Sequence, residues 1–163
     1  MSDLAVAIAG ALGYDSERLD GLRIAGCLHD VGKIAVPSEI LTKPGRLSDT
    51  EFTLIQAHAQ IGYDILSGIE FPTQVAEMTR QHHERLDGSG YPRGLVGDEI
   101  LPEARILAVA DVVEAMSSHR PYRPSRGLEQ ALAEIEQGRG RIYDPEAVDV
   151  CLRLFREDGF CFT

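Results

Sequence analysis

The sequence of 163 residues has few cysteines and lacks a long apolar run. Cys27, Cys151 and Cys161 form no C-x-x-C pair and are odd in number, which argues against a disulfide framework and a zinc knuckle. No window approaches the roughly 18 consecutive apolar residues of a membrane span. The sequence also lacks a basic segment followed by an apolar segment, which is the pattern of a secretion signal. We therefore expect a cytoplasmic location in a reducing compartment, with no membrane span in this segment.

Positive charge is also scarce. The chain has 16 Lys and Arg residues against 26 Asp and Glu residues, which gives a formal net charge of −10. This balance argues against general nucleic-acid binding, because a nucleic-acid binder needs a basic face. An anionic small molecule stays compatible with it if a metal ion or a few arginines concentrate positive charge locally.

Strand-like alternation of Val, Ile and Thr is missing, and apolar residues recur at helical spacing instead. The predicted helices cover residues 4–13, 17–32, 48–68, 73–86, 102–118, 125–138 and 144–158. Start signals are Ser16, an S-x-x-E capping box that opens at Ser48, Pro102, and Asp144 followed by proline. The pattern predicts one all-α domain over residues 1–163, a helical bundle of about seven helices.

Polar side chains interrupt the apolar segments at six positions. These positions are His29, Asp30, His58, His82, His83 and Asp111. Each has an ordinary explanation, because a single histidine on a helix is more often a hydrogen-bonded core or surface residue than a ligand. Asp111 could pair with Arg23 or Arg105, and the two adjacent histidines could end a helix in solvent.

A shared metal centre would explain the six positions together. Burying an unpaired carboxylate or a charged imidazole is costly, and groups on separate helices can share one compensating cation. Imidazole nitrogen and carboxylate oxygen suit Fe, Mn, Zn and similar divalent ions. Asp30 and Asp111 could each bridge two ions through their two oxygens. We therefore interpret the polar residues as a metal centre built into the core.

Two motifs resemble a known family. The segment HDVGK, from His29 to Lys33, resembles the HD-x-G-K signature of the HD superfamily of metal-dependent phosphohydrolases. The segment HHERLDGSGYP, which begins at His82, resembles the HHE…DGxGYP signature of its HD-GYP subfamily. The segments AVAD, ending at Asp111, and RPYR, beginning at Arg120, also fit. The resemblance spans most of the chain, from about residue 4 to residue 155.

The resemblance implies an all-α HD fold and a phosphodiesterase that hydrolyses cyclic di-GMP to pGpG, GMP or both. The nucleophile would be a metal-bound hydroxide at a centre of two or three divalent ions, with Fe or Mn expected first and Zn, Ni or Mg as alternatives. The implied metal ligands are His29, Asp30, His58, His82, His83 and Asp111.

Further residues acquire roles only through the resemblance. The implied catalytic residues are Asp30 and Lys33, and Lys33 would contact the scissile phosphate. Arg120 and Arg123 would hold phosphate oxygens, and Gly90, Tyr91 and Pro92 would form the loop beside the substrate. Without the motif, Lys33 and Arg123 could equally be solvated cations near helix ends.

The chain departs from the family pattern at its beginning. No histidine precedes His29, whereas the family usually carries one more histidine ligand on the first helix. We expect that helix to be truncated upstream of Met1, so that this chain is weakly active or inactive. We also expect an N-terminal sensory or receiver domain and signalling-protein partners. Two alternatives stay open: a catalytically impaired HD-GYP signalling module, and an HD phosphohydrolase for another cyclic dinucleotide.

Overall fold

The computed structural model describes residues 1–118 and 127–162. The helices are α1 (Ser2–Ala11), α2 (Ser16–Leu28), α3 (Ser38–Leu41), α4 (Asp49–Gln56), α5 (His58–Leu66), α6 (Val75–Gln81), α7 (Pro102–Ser117), α8 (Leu128–Gln137) and α9 (Pro145–Arg156), with 3₁₀ turns at Val31–Ala35 and Gly97–Glu99. Two isolated bridges are the only β-type pairing in these two ranges. The all-α prediction is confirmed. None of the described helices combines the length and apolar character needed to traverse a lipid bilayer.

Helix α7 is the central element of the bundle. It packs against α1, α6, α8 and α9, and it buries Leu107, Val109 and Val113 completely. Ile8 of α1 and Leu132 of α8 are buried in the same core. Complete burial of such a side chain stabilises the fold by about 1.5–3 kcal/mol. The core therefore gives rigid support to the helix ends that carry the polar residues.

The predicted start signals are observed at three of four helices. Ser48 forms the capping box of α4, Pro102 opens α7, and the Asp144 side chain caps α9. At α2, however, the side chain of Asp15 accepts a hydrogen bond from the Arg18 N–H at 2.9 Å, so that Ser16 is the first helical residue. Both Asp and Ser are good caps, and the sequence pattern does not distinguish two such neighbours.

The predicted helix over residues 48–68 is divided at Ala57 into α4 and α5. At the division, Nδ1 of His58 lies 2.6 Å from the backbone oxygen of Ile55. In an unbroken helix that oxygen would accept only from the backbone N–H four residues later. The side-chain hydrogen bond therefore accompanies the break between the two helices.

Two other predicted helices end early, and each ends directly before a histidine. Helix α2 stops at Leu28, where Nδ1 of His29 lies 2.7 Å from the Gly26 oxygen. Helix α6 stops at Gln81, where Nδ1 of His82 lies 2.6 Å from the Thr79 oxygen. In both cases the ring takes a carbonyl group that the last turn of the helix leaves free.

Candidate metal centre

Three histidines share one orientation, which the helix ends impose. His29, His58 and His82 each contact a carbonyl oxygen three residues earlier through Nδ1. Because a carbonyl oxygen only accepts hydrogen bonds, Nδ1 carries the proton when the ring is neutral, and Nε2 of the neutral ring keeps its lone pair. Within the described part of the chain, the buried Nε2 atoms of His58 and His82 have no hydrogen-bond partner. Such buried, unpaired nitrogens suit a bound cation.

The carboxylate of Asp30 lies between two of these imidazoles. Its Oδ1 is 3.5 Å from Nε2 of His58, and its Oδ2 is 3.4 Å from Nε2 of His29. On the far side, Nε2 of His29 is 3.8 Å from Oδ1 of Asp111. Each oxygen of Asp30 therefore faces a different imidazole, Oδ1 that of His58 and Oδ2 that of His29.

His83 completes the group of histidines. His58, His82 and His83 each offer one ligand atom, and these atoms all lie within 4.8 Å of one another. The ring centroids of His82 and His83 are 3.9 Å apart, and the centroids of His29 and His82 are 5.2 Å apart. The structure thus brings all six polar positions around one volume, beside the ends of α2 and α6, the start of α5 and the middle of α7.

Burial keeps most of these imidazoles neutral. It lowers the pKa of His82 to about 3, aided by the nearby His29. Burial also lowers the pKa of His58, and burial together with His82 lowers the pKa of His83 well below its ordinary value. Neutral imidazole is the form that binds metals, so the protein holds these rings ready for a cation.

The carboxylates carry the negative charge of the group. Burial alone would raise the pKa of Asp30, but its contacts with His29 and Lys33 outweigh burial and hold that pKa well below its usual range. Burial likewise opposes protonation of His29, yet the hydrogen bond and charge of Asp30, with the charge of Asp111, raise the pKa of that imidazole. Burial raises the pKa of Asp111. The anionic Asp30 at the centre favours a cation there.

Two of the ordinary explanations, an arginine partner for Asp111 and a solvated helix end at His82, do not match the geometry. Arg23 and Arg105 pair with other aspartates, at 3.4 and 3.0 Å, and the Asp111 carboxylate faces His29. His82 is 0% exposed, so that it is not a solvated helix end.

Lys33 lies at the edge of the group, held there by a tight backbone contact. Its Nζ is 2.6 Å from Oδ2 of Asp30, and its side chain is less than one-third exposed. The neighbouring Gly32 packs directly on α5, since a Cβ at that position would lie 2.0 Å from the His58 oxygen and 2.6 Å from the Gly62 nitrogen. Only glycine allows this approach, which sets the distance between the 3₁₀ turn and His58.

The loop after α6 places an aromatic ring on the histidines. The Tyr91 ring lies 4.7 Å from the His83 ring, measured between centroids. The backbone N–H of Tyr91 donates a hydrogen bond to the backbone oxygen of His83 at 3.3 Å. A Cβ at Gly90 would lie 2.5 Å from the His83 oxygen and the Glu84 Cα, so this position also requires glycine. Pro92 is exposed. Gly90 and Tyr91 therefore border the centre, and Pro92 follows them at the surface.

Glu84 is a site residue to which the sequence analysis assigned no role. Its carboxylate is 2% exposed and accepts hydrogen bonds from the N–H groups of Arg93 at 2.8 Å and Leu95 at 3.0 Å. It thereby ties the loop that carries Tyr91 to the segment that carries His83. The available signal was its place in the HHE motif, an acidic residue next to buried histidines.

Arg120 and Arg123, predicted to hold phosphate oxygens, lie outside the described residues.

A family model described as an HD domain matches residues 1–147 of this chain. The chain belongs to the HD-domain family. This match, with the relatives and the solved structure described next, confirms the expected resemblance to HD-GYP proteins and the expected HD fold.

Similar proteins carry informative names. The cyclic di-GMP phosphodiesterase response regulator RpfG of Xanthomonas campestris pv. campestris (strain 8004) is 46% identical over 155 residues, which are 94% of this chain and 41% of that protein. A cyclic di-GMP phosphodiesterase of Thermotoga maritima is 45% identical over 152 residues, 92% of this chain and 41% of that protein. This HD domain thus spans about two fifths of the length of these relatives.

A solved structure shares the fold. An HDG"Y"P protein of Bdellovibrio bacteriovorus, Bd1817, superimposes with a TM-score of 0.76 at 19% identity, over 95% of this chain and 50% of that chain. At this identity the likeness concerns the fold alone.

Proposed function

We propose that this HD domain is the catalytic domain of a metal-dependent phosphodiesterase that hydrolyses cyclic di-GMP to pGpG, GMP or both. The observation that carries the proposal is the position of Asp30, whose two oxygens face His58 on one side and His29 on the other. The names of two relatives more than 40% identical support the choice of cyclic di-GMP.

The donor atoms fit a centre of two or more divalent ions. We propose that the ions would be held by one shared set of side chains: His29, Asp30, His58, His82, His83 and Asp111. When bound, such ions lower the pKa of coordinated water and neutralise charge on phosphoryl oxygens. Mixed nitrogen and oxygen donors accept several divalent ions. The resemblance to the HD-GYP family favours Fe or Mn, with Zn, Ni and Mg as alternatives.

The residues around the donors have separate proposed tasks. Lys33 supplies a point charge for the scissile phosphate from its place beside Asp30. Tyr91 keeps its phenolic proton, because burial raises its pKa, and it can donate a hydrogen bond to the substrate. Gly90 and Pro92 shape the loop, and Arg120 and Arg123 are proposed to hold phosphate oxygens bidentately.

The proposed function is tested with the protein as its gene encodes it, loaded with Mn²⁺ or Fe²⁺. Metal content is measured first, and cyclic di-GMP is then followed by chromatography. We expect conversion to pGpG or GMP that stops on chelation. Intact cyclic di-GMP in the presence of protein with bound metal would contradict the proposal.

A second candidate substrate is another cyclic dinucleotide. A relative in Vibrio cholerae named 3'3'-cGAMP-specific phosphodiesterase 3 is 44% identical over 132 residues, which are 81% of this chain and 28% of that protein. Parallel assays with cyclic di-GMP and 3'3'-cGAMP separate the candidates by the ratio of kcat/KM.

We propose further that residues 1–163 form a single domain that lies beside an N-terminal sensory or receiver domain. The protein would work in the cytoplasm and bind signalling-protein partners. The name "response regulator" of one relative supports this arrangement.

A further inference from the structure

An exposed aromatic residue borders the candidate metal centre. Phe52, on α4, leaves 48% of its surface in solvent. Its ring stands edge-on to Tyr91, with centroids 6.4 Å apart and an interplanar angle of 79°. Tyr91 in turn lies against His83, so that a row of rings leads from the histidines to the surface.

Core packing does not account for this position of Phe52. A side chain that serves mainly as core is buried, yet almost half of this ring is accessible beside a site lined with polar groups. Leu54, on the same helix, is similarly exposed at 46%. Residues two apart on a helix point in different directions, so that Leu54 does not face the same side as Phe52.

A nucleic base is a ligand that such a ring suits. Bases offer flat π surfaces, and aromatic side chains stack on them with little dependence on base identity. Ions held by the donor atoms around Asp30, together with Lys33, would hold the phosphodiester. Phe52 lies two ring contacts away from His83.

We propose that Phe52 forms a stacking surface for one base of the cyclic dinucleotide, a contact that sets KM for the substrate. This inference rests on the proposed function and deepens it. The phosphate would be held at the metal centre, and the base would lie on the exposed part of Phe52, beside Tyr91.

The test compares three variants of the metal-loaded protein. Phe52→Leu removes the ring and keeps an apolar side chain, whereas Phe52→Trp keeps an aromatic surface. Leu54→Ala is the matched control on the same helix. Steady-state kinetics on cyclic di-GMP and 3'3'-cGAMP give KM and kcat separately, and metal content and melting temperature are measured for each variant.

We expect Phe52→Leu to raise KM by about tenfold to a hundredfold with kcat, metal content and melting temperature nearly unchanged. Phe52→Trp and Leu54→Ala should keep KM within about threefold of the wild-type value. An unchanged KM for Phe52→Leu, while wild-type protein turns over a cyclic dinucleotide, would overturn the stacking role alone. Failure of the metal-loaded wild type to cleave any cyclic dinucleotide would overturn the proposed function and this inference with it.

Discussion

Lys33 and Asp30 form a short ion pair, with Nζ of Lys33 2.6 Å from Oδ2 of Asp30. The same carboxylate faces two imidazoles, so that one residue connects the lysine to the candidate metal centre. We therefore expect the two side chains to have roles that experiments can distinguish. Substitution of Asp30 should lower the metal content, and substitution of Lys33 should lower turnover.

Asp30→Ala should lose bound metal and activity together. The substitution removes the two carboxylate oxygens that face His29 and His58, which would be ligands of the bound ions. Metal content by mass spectrometry should fall by about tenfold or more. Asp64→Ala, which alters an exposed aspartate on α5, is the control and should keep its metal. Full metal occupancy in Asp30→Ala would remove Asp30 from the ligand set.

Lys33→Ala should keep its metal and lose turnover. Loss of one positive charge aimed at the developing phosphoryl charge costs about a hundredfold in kcat. The control is Lys43→Ala, because Lys43 also pairs with a carboxylate, that of Glu51, but lies in an exposed pair on the surface. A kcat equal to that of the wild type would show that Lys33 has no role at the phosphate.

Gly32→Ala should destabilise the protein and weaken metal binding. The new Cβ would collide with the backbone of α5 at His58, so the 3₁₀ turn and α5 must separate. Overpacking of this kind costs about 1–3 kcal/mol in the free energy of unfolding. Gly10→Ala in α1 has open space around its Cβ and should be neutral or stabilising. Thermal unfolding of both variants checks the expectation, and equal melting temperatures would contradict it.

Glu84→Gln should loosen the loop that carries Tyr91. One carboxylate oxygen becomes an amide NH₂ group that faces a backbone N–H, so a buried hydrogen bond is lost. Trypsin should then cleave after Arg93 several times faster, with no faster cleavage after Arg23 in α2. The exposed Glu70→Gln is the matched control. Equal acceleration at both arginines would indicate global unfolding instead.

The metal-free protein should lose stability on acidification. His82 has a pKa of about 3 in the folded protein, below its ordinary value of 6.5, so the unfolded chain binds the proton first as pH falls. The free energy of unfolding should therefore decrease between about pH 6.5 and pH 3, by up to about 1.4 kcal/mol per pH unit for this residue. Denaturant unfolding of chelator-treated protein measures the slope. His82→Gln should have a shallower slope, and equal slopes would contradict the buried, neutral state of His82.

The helical character of the chain was accessible from local pattern. Period and caps predicted α7 and α9 within two residues of their observed ends. The breaks at Leu28, Ala57 and Gln81 were not accessible in this way. At each of them a histidine ring donates a hydrogen bond to a backbone carbonyl oxygen in place of a backbone N–H. The spacing of apolar residues in the sequence does not reveal this competition.

The roles of three residues depended on packing. Gly32 and Glu84 belong to quoted motifs, but their tasks follow from a close backbone approach and from two hydrogen bonds to a distant part of the loop. Phe52 belongs to no motif and acquires its place beside Tyr91 only when α4 lies next to the loop.

The chemical inventory of the centre follows from the chain alone, since imidazoles and carboxylates set among apolar residues stand out in any reading of the residue order. Which atoms meet does not follow from it. The two oxygens of Asp30 face His58 and His29 because the 3₁₀ turn that follows α2 packs on α5, and that contact is a property of the packed core.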